Sequence, residues 1–484
     1  MLDFITMCDG YKLDHRRQFP IGTQRIYSNF TPRSSRIAGQ NTVVFFGLQY
    51  FLDEYLGRIA QETFFAKPRR VVIDRYQRLL NNYFGPNDIG VDHIAALHDY
   101  GRVPLEFRAL PEGTHVPLRC PMFTVMNTHD DFFWMTNYIE TMISSVIWHA
   151  CTSATIAHRY RKLLDAYATR TGGPMEFVPW QGHDFSFRGL SSPETAALSG
   201  AGHLLSFTGS DTVPAIQLLE EHYEASGLIA GSVPATEHAV MCAGSRESEM
   251  QTFDRLLKLY PTGIVSVVSD TWDFWNVIEM TLPALKDRIM ARNGKLVVRP
   301  DSGVPEDILA GDPKAPVGSV QHAGLISRLW DIFGGTVNAK GFKELDSHIG
   351  AIYGDSITEQ RADEICKRLE AKGFASTNVV LGIGSFTYQY VTRDTFGFAI
   401  KATWAKIHGQ EHALFKDPKT DSGVKKSARG MMAVVRENGA LVMHDGLGSH
   451  ECGQEQDLLL PVWREGKFSR RQRLDEIRAR VAEG

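Results

Sequence analysis

Residues 296–303 read LVVRPDSG, a short apolar run that ends abruptly in an arginine, a proline, an aspartate and a serine-glycine pair. The same pattern returns in residues 264–270 (IVSVVSD), 349–356 (IGAIYGDS) and 379–385 (VVLGIGS). Continuous apolar strands that alternate with helices are typical of a parallel sheet covered on both faces. After the third run, Ser356 and Glu359 have capping-box spacing and predict a helix that Gly373 ends. The middle of the chain therefore predicts an α/β fold.

Polar residues gathered just after these strands favour a barrel-like layout with one functional rim. An open doubly wound sheet also places ligands at strand ends and is the alternative. From residue 395 onward the pattern changes to antiparallel strands, with an Asn438-Gly439 turn between two of them. We therefore predict a barrel-like catalytic domain over residues 151–394. Residues 1–150 and 395–484 are predicted to form a second, β-rich domain with flanking helices.

Composition excludes several classes of protein. The 484 residues carry a formal net charge of −4, without the basic excess of a nucleic-acid binder. No run of about 18 apolar residues predicts a membrane span. The six cysteines are scattered rather than paired, which fits a reduced, cytoplasmic protein and argues against a disulfide framework or a zinc site.

The strand-end loops hold residue types that suit a sugar phosphate. The turns at Gly354-Asp355-Ser356 and Gly382 to Ser385 could offer backbone N–H groups to a phosphate. Asp301 and Asp355 could accept ribose hydroxyl hydrogens or hold Mg²⁺. Thr387 stands where a dinucleotide fingerprint would have its third glycine, which argues against a nicotinamide-cofactor dehydrogenase.

Three further loops could carry chemistry, and each also has a structural explanation. Phe185 and Arg188 could stack a flat ring and hold a charge, or could be a core residue and an ion-pair partner. Asp211 could bind a ligand or simply cap the following helix. Glu237 and His238 place an acid beside a histidine in the first turn of a helix, where an isolated histidine is often structural.

Short stretches over nearly the whole chain, in matching order, resemble the nicotinamide phosphoribosyltransferase family, a type II phosphoribosyltransferase family. They are Cys8–Lys12, Phe46–Tyr50, His183–Phe185, Arg188-Gly189, Gly209–Val213, Ser232–Pro234, Glu237-His238, Val265–Asp270, Arg299–Gly303, Gly354-Asp355, Thr392–Asp394 and Lys416–Pro418. The chain departs from the family at Gly382–Phe386, where the family has a longer run of glycines.

The resemblance implies a role for each matching position. The nicotinamide ring would lie between Phe185 and Tyr11 of a second subunit, with the other ring-site residues being Arg188, Asp211, Ser266 and Arg299. Asp301 and Asp355 would hold the ribose, and the 5′-phosphate would meet Gly354, Gly384 and Ser385. The cations facing pyrophosphate would be Arg393, Lys401, Lys416 and, from the partner chain, Arg33. ATP would phosphorylate His238, with Glu237 beside it.

The resemblance also implies an irregular α/β barrel with a β-rich second domain, working as a homodimer with shared active sites. The reaction would join nicotinamide to phosphoribosyl pyrophosphate with Mg²⁺, forming nicotinamide mononucleotide in NAD salvage, and ATP would be a co-substrate. A nicotinate phosphoribosyltransferase is the nearest alternative, although Asp211 and the run from Arg299 to Gly303 favour nicotinamide. A non-catalytic pyridine-nucleotide sensor is an alternative from another class. The residues that would bind the metal are left open.

Overall fold

The computed structural model describes residues 3–354, 356–416 and 428–484. The chain divides into two compact units. The terminal unit comprises Met1–Thr152, Leu218–Ala225 and Val391–Gly484, and the barrel unit comprises Ser153–Gln217 and Ser226–Tyr390. Three residues of the predicted motifs, Asp355, Asp417 and Pro418, lie outside the described residues.

Both units mix helices and strands, numbered here along the chain. The strands are β1 (Thr23–Thr31), β2 (Thr42–Val44), β3 (Leu105–Ala109), β4 (His115–Pro117), β5 (Phe123–Asn127), β6 (Gly182–Asp184), β7 (Gly209–Ser210), β8 (Thr262–Val268), β9 (Asn293–Arg299), β10 (Gly335–Val337), β11 (Lys343–Leu345), β12 (Ile349–Tyr353), β13 (Val379–Ile383), β14 (Ala399–Ile407), β15 (Gln410–Ala413), β16 (Met431–Glu437), β17 (Ala440–Leu447), β18 (Leu460–Arg464) and β19 (Lys467–Phe468).

The α-helices are α1 (His15–Gln18), α2 (Leu48–Phe51), α3 (Arg69–Phe84), α4 (Asp92–Tyr100), α5 (Met135–Tyr138), α6 (Glu140–Thr171), α7 (Val178–Gln181), α8 (Pro193–His203), α9 (Val213–Tyr223), α10 (His238–Ala243), α11 (Glu249–Leu259), α12 (Phe274–Asn276), α13 (Leu282–Ala284), α14 (Lys286–Met290), α15 (Pro305–Ala310), α16 (Val320–Ala323), α17 (Leu325–Phe333), α18 (Glu359–Ala371), α19 (Ser385–Tyr388) and α20 (Leu474–Ala482). Short π-helical segments occupy Leu52–Ile59, Gln61–Phe65 and Val277–Thr281, and 3-10 turns occupy Phe4–Thr6, Gly10–Leu13, Asp130–Phe132, Met175–Phe177, Phe187–Gly189, Ser376–Asn378 and Arg393–Thr395. Along the described stretches of the chain, we find no helix with both the length and the apolar character needed to cross a membrane.

The barrel unit is built on a six-stranded sheet in the order β7-β6-β13-β12-β9-β8. Every neighbouring pair in this sheet is parallel. The apolar runs of the sequence supply these strands, and Val265, Val298 and Leu381 are buried. Since β-branched and other apolar residues suit strands covered on both faces, the predicted parallel sheet is confirmed.

A short extended segment, residues 231–236, joins the two edges of this sheet. Gly231 bridges to Gly209 of edge strand β7, and Ala235 bridges to Ser266 of edge strand β8. The backbone N–H of Ser266 donates to the carbonyl of Pro234 at 2.9 Å. We call residues 231–236 the closing segment. Because it pairs with both edges, the sheet curls into an irregular barrel, which confirms the predicted barrel over the open sheet.

Helix α18 follows β12 as predicted, but its cap lies two residues later than expected. Thr358, not Ser356, caps the helix by accepting the backbone N–H of Arg361 at 3.2 Å. Ser356 instead adopts a left-handed conformation with φ of 60°. Because a left-handed residue does not continue a right-handed helix, α18 begins only after it. The predicted apolar face is buried, and Gly373, at φ of 75°, follows the helix end.

The terminal unit contains a seven-stranded sheet in the order β15-β14-β1-β5-β3-β18-β19. Strand β14 from the C-terminal part pairs antiparallel with β1, and β18 pairs antiparallel with β3. The N- and C-terminal parts of the chain therefore share one β-rich region, as predicted. Hairpin β16–β17 turns at Asn438-Gly439, both with positive φ, which matches the turn preferred by that dipeptide.

Candidate functional site

The strand ends of the barrel unit enclose a cavity of about 920 Å³, which we call the rim cavity. It gathers most of the barrel residues that the sequence predicts for the site, and these are Phe185, Arg188, Asp211, Glu237, His238, Arg299, Asp301, Gly354 and Ser385. They follow strands β6, β7, β9, β12 and β13 and the closing segment. Parallel strands place their carboxyl ends on one rim, which explains why residues far apart in sequence meet here.

An aromatic ring and a guanidinium define one wall of the rim cavity. The guanidinium of Arg299 lies 5.0 Å from the centre of the Phe185 ring. Its Nε and Nη2 atoms donate to the two carboxylate oxygens of Asp301, each at 3.1 Å. This bidentate pair orients Arg299 and keeps Asp301 at the rim. Phe185 is therefore a cavity residue and not a core residue.

Asp211 is held by two hydrogen bonds, neither of which comes from the following helix. His183 Nε2 donates to Asp211 Oδ1 at 2.9 Å, and Ser232 Oγ donates to the same oxygen at 2.5 Å. Burial by itself raises the pKa of Asp211, but the hydrogen bond and charge of His183, the Ser232 hydroxyl and the charge of Arg299 together hold that pKa below its ordinary value. An ionised carboxylate thus faces the cavity, and the alternative of a simple helix cap is set aside.

Glu237 and His238 enter the rim cavity from the start of α10. Glu237 is extended, with φ of −113° and ψ of 170°, and precedes the first helical residue, His238. The Nε2 atom of His238 lies 3.4 Å from Oδ1 of Asp270. A histidine that approaches a carboxylate while it lines a cavity is better placed for chemistry than one packed in a core.

Asp270 is a functional candidate to which the sequence analysis assigned no role. Its side chain, only 3% exposed, follows β8. Its Oδ2 accepts the backbone N–H of Asp301 at 2.9 Å and the Ser302 hydroxyl at 2.6 Å. Asp270 thereby links the His238 helix to the loop that carries Asp301. Its position directly after an apolar strand was the available signal, because the other rim carboxylates stand at the same kind of position.

Glycines let backbone and side chains approach closely at the strand ends for which the sequence predicts a phosphate site. A Cβ on Gly354 would lie 1.9 Å from Asp301 Oδ1 and 2.7 Å from Arg299 Nε. A Cβ on Gly189 would lie 2.4 Å from the Ser385 side chain. Gly384 precedes the first residue of α19, Ser385. At the point of departure from the family, Phe386 stacks on Tyr390 with ring centres 5.0 Å apart instead of lining the cavity.

Ser266 lies inside the barrel, on strand β8, and contacts a second cavity of about 990 Å³, the core cavity. This cavity also reaches Phe185, Asp211 and Arg299, so both cavities meet at the same three residues. The Ser266 hydroxyl is buried and has no hydrogen-bond partner among the described residues. A ligand atom that reached it would satisfy an otherwise unpaired polar group.

The remaining predicted residues belong to the terminal unit. Burial lowers the pKa of Lys401, and the charges of Arg33 and Lys416 lower it further against the opposing charge of Glu140. These three cations therefore lie near one another. The guanidinium of Arg393 is exposed and pairs with Asp394 at 3.2 Å. The Tyr11 ring is also exposed.

No metal cluster is present in the part of the chain that the structure describes, since no three His, Cys, Asp or Glu side chains converge on one point. Mg²⁺ in phosphate-transfer sites commonly takes only one or two protein carboxylates, and substrate phosphates and water supply its other ligands. Asp301 at the rim fits that limited role, because its carboxylate lies on the cavity wall.

Comparisons with known proteins show the family to which the chain belongs. Residues 180–458 match the nicotinate phosphoribosyltransferase (NAPRTase) family, and residues 3–107 match the nicotinamide phosphoribosyltransferase N-terminal domain. The nicotinamide phosphoribosyltransferase of Acinetobacter baylyi is 50% identical over 98% of this chain and 96% of its own length. Those of Xanthomonas campestris pv. campestris and Mycoplasma pneumoniae are each 34% identical, covering 97% and 87% of this chain and 96% and 93% of their own lengths.

Solved structures agree on the fold. A nicotinate-nucleotide pyrophosphorylase from Pyrococcus furiosus superposes with a TM-score of 0.59 at 16% identity, covering 99% of this chain and 95% of its own. Human nicotinic acid phosphoribosyltransferase gives 0.57 at 16% identity, covering 98% and 91%. Fold and site thus define a type II phosphoribosyltransferase, an enzyme of the pentosyltransferase class. Within that class, the chain belongs to the nicotinamide phosphoribosyltransferase family.

Proposed function

We propose that this enzyme joins nicotinamide to phosphoribosyl pyrophosphate and forms nicotinamide mononucleotide and pyrophosphate in NAD salvage. The observation that carries the proposal is the Asp211 carboxylate, which is held by His183 and lines the rim cavity together with Phe185. A carboxylate accepts a hydrogen bond from an amide NH₂ but repels the carboxylate of nicotinic acid. The site therefore suits the amide better than the acid, and nicotinate phosphoribosyl transfer is the less favoured reaction.

The ring would lie where the rim cavity meets the core cavity, and the sugar would take another part of the rim cavity. Phe185 would stack one face of the nicotinamide ring, with Tyr11 of the partner subunit on the other. Arg188, Arg299 and Ser266 would complete the ring pocket. Asp301 would accept ribose hydroxyl hydrogens, a role we also propose for Asp355. The backbone at Gly354, Gly384 and Ser385 would meet the 5′-phosphate. The unpaired Ser266 hydroxyl and the close approach of Asp301 to Gly354 support this division.

Catalysis would rest on position and charge. The pyridine nitrogen attacks the anomeric carbon, the bond from that carbon to the pyrophosphate oxygen breaks, and the bonding electrons leave with pyrophosphate. A neutral pyridine nitrogen carries no proton to remove, so the chain has to align the reactants and neutralise the leaving group. Arg393, Lys401 and Lys416, with Arg33 of the partner subunit, are proposed to do the latter. Mg²⁺ bound with pyrophosphate would add positive charge, with Asp301 as its protein ligand.

ATP is proposed to act through His238. Its γ-phosphoryl group would pass to an imidazole nitrogen of His238 as ADP leaves, and the phosphorylated enzyme would bind phosphoribosyl pyrophosphate more tightly. The ring is accessible from the rim cavity, and its Nε2 lies 3.4 Å from Oδ1 of Asp270, a separation at which the carboxylate would favour a proton on Nε2 and leave Nδ1 to attack. Label from γ-labelled ATP should stay on the wild-type protein and be absent from His238→Ala. Equal retention by the two proteins would refute this role.

One assay separates the candidate functions: mononucleotide formation from nicotinamide and from nicotinic acid, each with and without ATP. We expect strong preference for nicotinamide and stimulation by ATP. Equal or better use of nicotinic acid would favour the nicotinate enzyme. A non-catalytic sensor would release no pyrophosphate when both substrates and Mg²⁺ are supplied. The presence of Asp301 and His238 in one cavity supports catalysis over sensing.

A further inference from the structure

The Asp211 carboxylate is bound through only one of its two oxygens. His183 and Ser232 both donate to Oδ1, at 2.9 Å and 2.5 Å. Among the described residues, Oδ2 accepts no hydrogen bond, and the side chain is 41% exposed where it lines the cavity. One oxygen is therefore committed to the protein and the other is available to a ligand.

The His183 ring is itself held firmly. The residue lies on β6, paired with Gly209 of β7 on one side and Gly382 of β13 on the other. Its ring packs against Phe185 with centres 4.5 Å apart, and its side chain is 10% exposed. A Cβ on Gly209 would come within 2.8 Å of Nδ1, so the glycine leaves room for the ring. Because an ionised carboxylate can only accept, Nε2 of His183 must carry the hydrogen.

Ser232 approaches the same carboxylate from a different element. It belongs to the closing segment, which the Gly231 and Ala235 bridges anchor to the two edge strands. The hydroxyl therefore reaches Asp211 from a segment 21 residues further along the chain, whereas His183 reaches it from 28 residues before. Two donors on separate, anchored elements define the rotation of the carboxylate more narrowly than either would alone.

We propose that His183 and Ser232 are positioning residues that determine the choice between a pyridine amide and a pyridine acid, by locking Asp211 with its Oδ2 facing the ring pocket. The inference rests on the proposed function and deepens it. With both donors present, Oδ2 can accept a hydrogen bond from one carboxamide N–H. At the same place it would repel the negatively charged carboxylate of nicotinic acid. Without them the carboxyl group can rotate, or take up a proton and donate to the carboxylate of nicotinic acid.

Loss of a donor should therefore weaken the binding of nicotinamide and, at the same time, reduce the repulsion of nicotinic acid. A hydrogen bond to a charged group is worth enough that losing it should change the preference by about 10–100-fold. Burial raises the pKa of Asp211, and the hydrogen bond and charge of His183 do most to hold that pKa below its ordinary value, ahead of the Ser232 hydroxyl and the charge of Arg299. Removing the donor should raise that pKa, so nicotinamide binding would begin to fail at a higher pH as the solution is acidified.

The test compares His183→Gln with His183→Met, two side chains of similar length of which only glutamine keeps a donor near the Nε2 position. For both variants and the wild type, kcat and KM are measured with nicotinamide and nicotinic acid across pH 5–8. We expect His183→Met to lower the ratio of the two kcat/KM values by about 10–100-fold, mainly through KM for nicotinamide. His183→Gln should retain most of the wild-type ratio, and only the methionine variant should show a KM that rises as pH falls.

Ser232→Ala provides a second variant if His183→Met does not fold, because Ser232 is exposed on the closing segment. It should shift the ratio in the same direction. A wild-type ratio in both His183→Met and Ser232→Ala would overturn the positioning role while leaving the proposed function intact. An equal loss of preference in the glutamine and methionine variants would also overturn it, because bulk and not the donor would then matter. Equal use of both substrates by the wild type would instead refute the proposed function first.

Discussion

At the scale of single residues, the charge of Asp211 is the feature that we propose determines substrate choice. Asp211→Asn keeps the size of the side chain but removes its negative charge. We expect nicotinic acid to gain and nicotinamide to lose, so that the ratio of kcat/KM values falls by about 10–100-fold. Steady-state kinetics with both substrates checks this. Asp287→Asn, which neutralises an exposed carboxylate outside the rim cavity, is the matched control and should leave the ratio unchanged.

The pH dependence of that preference follows from the direction of the Asp211 pKa. A carboxyl group whose pKa is lowered stays ionised until the solution is more acidic than its ordinary range. We therefore expect the wild-type preference for nicotinamide to stay level from pH 8 down to about pH 5, and to weaken only at lower pH. A preference that declined between pH 7 and pH 6 would contradict an Asp211 held ionised by His183 and Ser232.

At the scale of elements, the position directly after β12 has to be a glycine, Gly354, because there is no room for a side chain. In Gly354→Ala, the new Cβ would displace the Asp301 carboxylate and the Arg299 guanidinium, which are too close to accommodate it. We expect kcat/KM for phosphoribosyl pyrophosphate to fall by about 10²–10³-fold, the size seen when one aligned polar contact is lost. Gly350→Ala, on β12 itself, is the control, because its Cβ would meet mainly the flexible Lys295 chain at 3.2 Å. Equal activity in the two variants would count against the role of Gly354.

Some of the secondary-structure elements could be predicted from the sequence and others could not. Strands β8, β9, β12 and β13 were predictable because each is an unbroken apolar run that ends in polar residues. The closing segment was not, because Ser232-Val233-Pro234 has no strand pattern and its bridges to β7 and β8 depend on the curl of the whole sheet. The α18 cap was misplaced for a related reason, since capping-box spacing cannot reveal the left-handed turn at Ser356.

The candidate site also contains residues that could be predicted from the sequence and residues that could not. Residue types at strand ends identified Asp301, and family resemblance supplied roles for Arg299, Phe185 and Asp211. Neither identified the partners that fix them. His183 forms a hydrogen bond with Asp211, and His238 contacts Asp270. Both pairs are distant in sequence, and only the folding of the barrel brings them together.

At the scale of the whole molecule, the proposal requires two chains to build one site. Tyr11 is exposed in the terminal unit, and its ring is proposed to complete the nicotinamide pocket of a second copy. Tyr11→Ala and Phe185→Ala should each greatly reduce activity, by removing opposite faces of the ring pocket. A dimer containing one chain of each kind would hold one doubly altered site and one site with both rings intact.

Co-expression of Tyr11→Ala and Phe185→Ala chains tests this arrangement directly. If chains pair at random, half of the dimers are mixed and each has one intact site, so activity should recover to about 25% of the wild-type value. The two variants purified separately and mixed without exchange of subunits are the control and should stay inactive. If Tyr11 served its own chain instead, no mixed dimer would contain an intact site, and co-expression would give no recovery. Light scattering on the same samples would show whether the recovered activity belongs to the dimer.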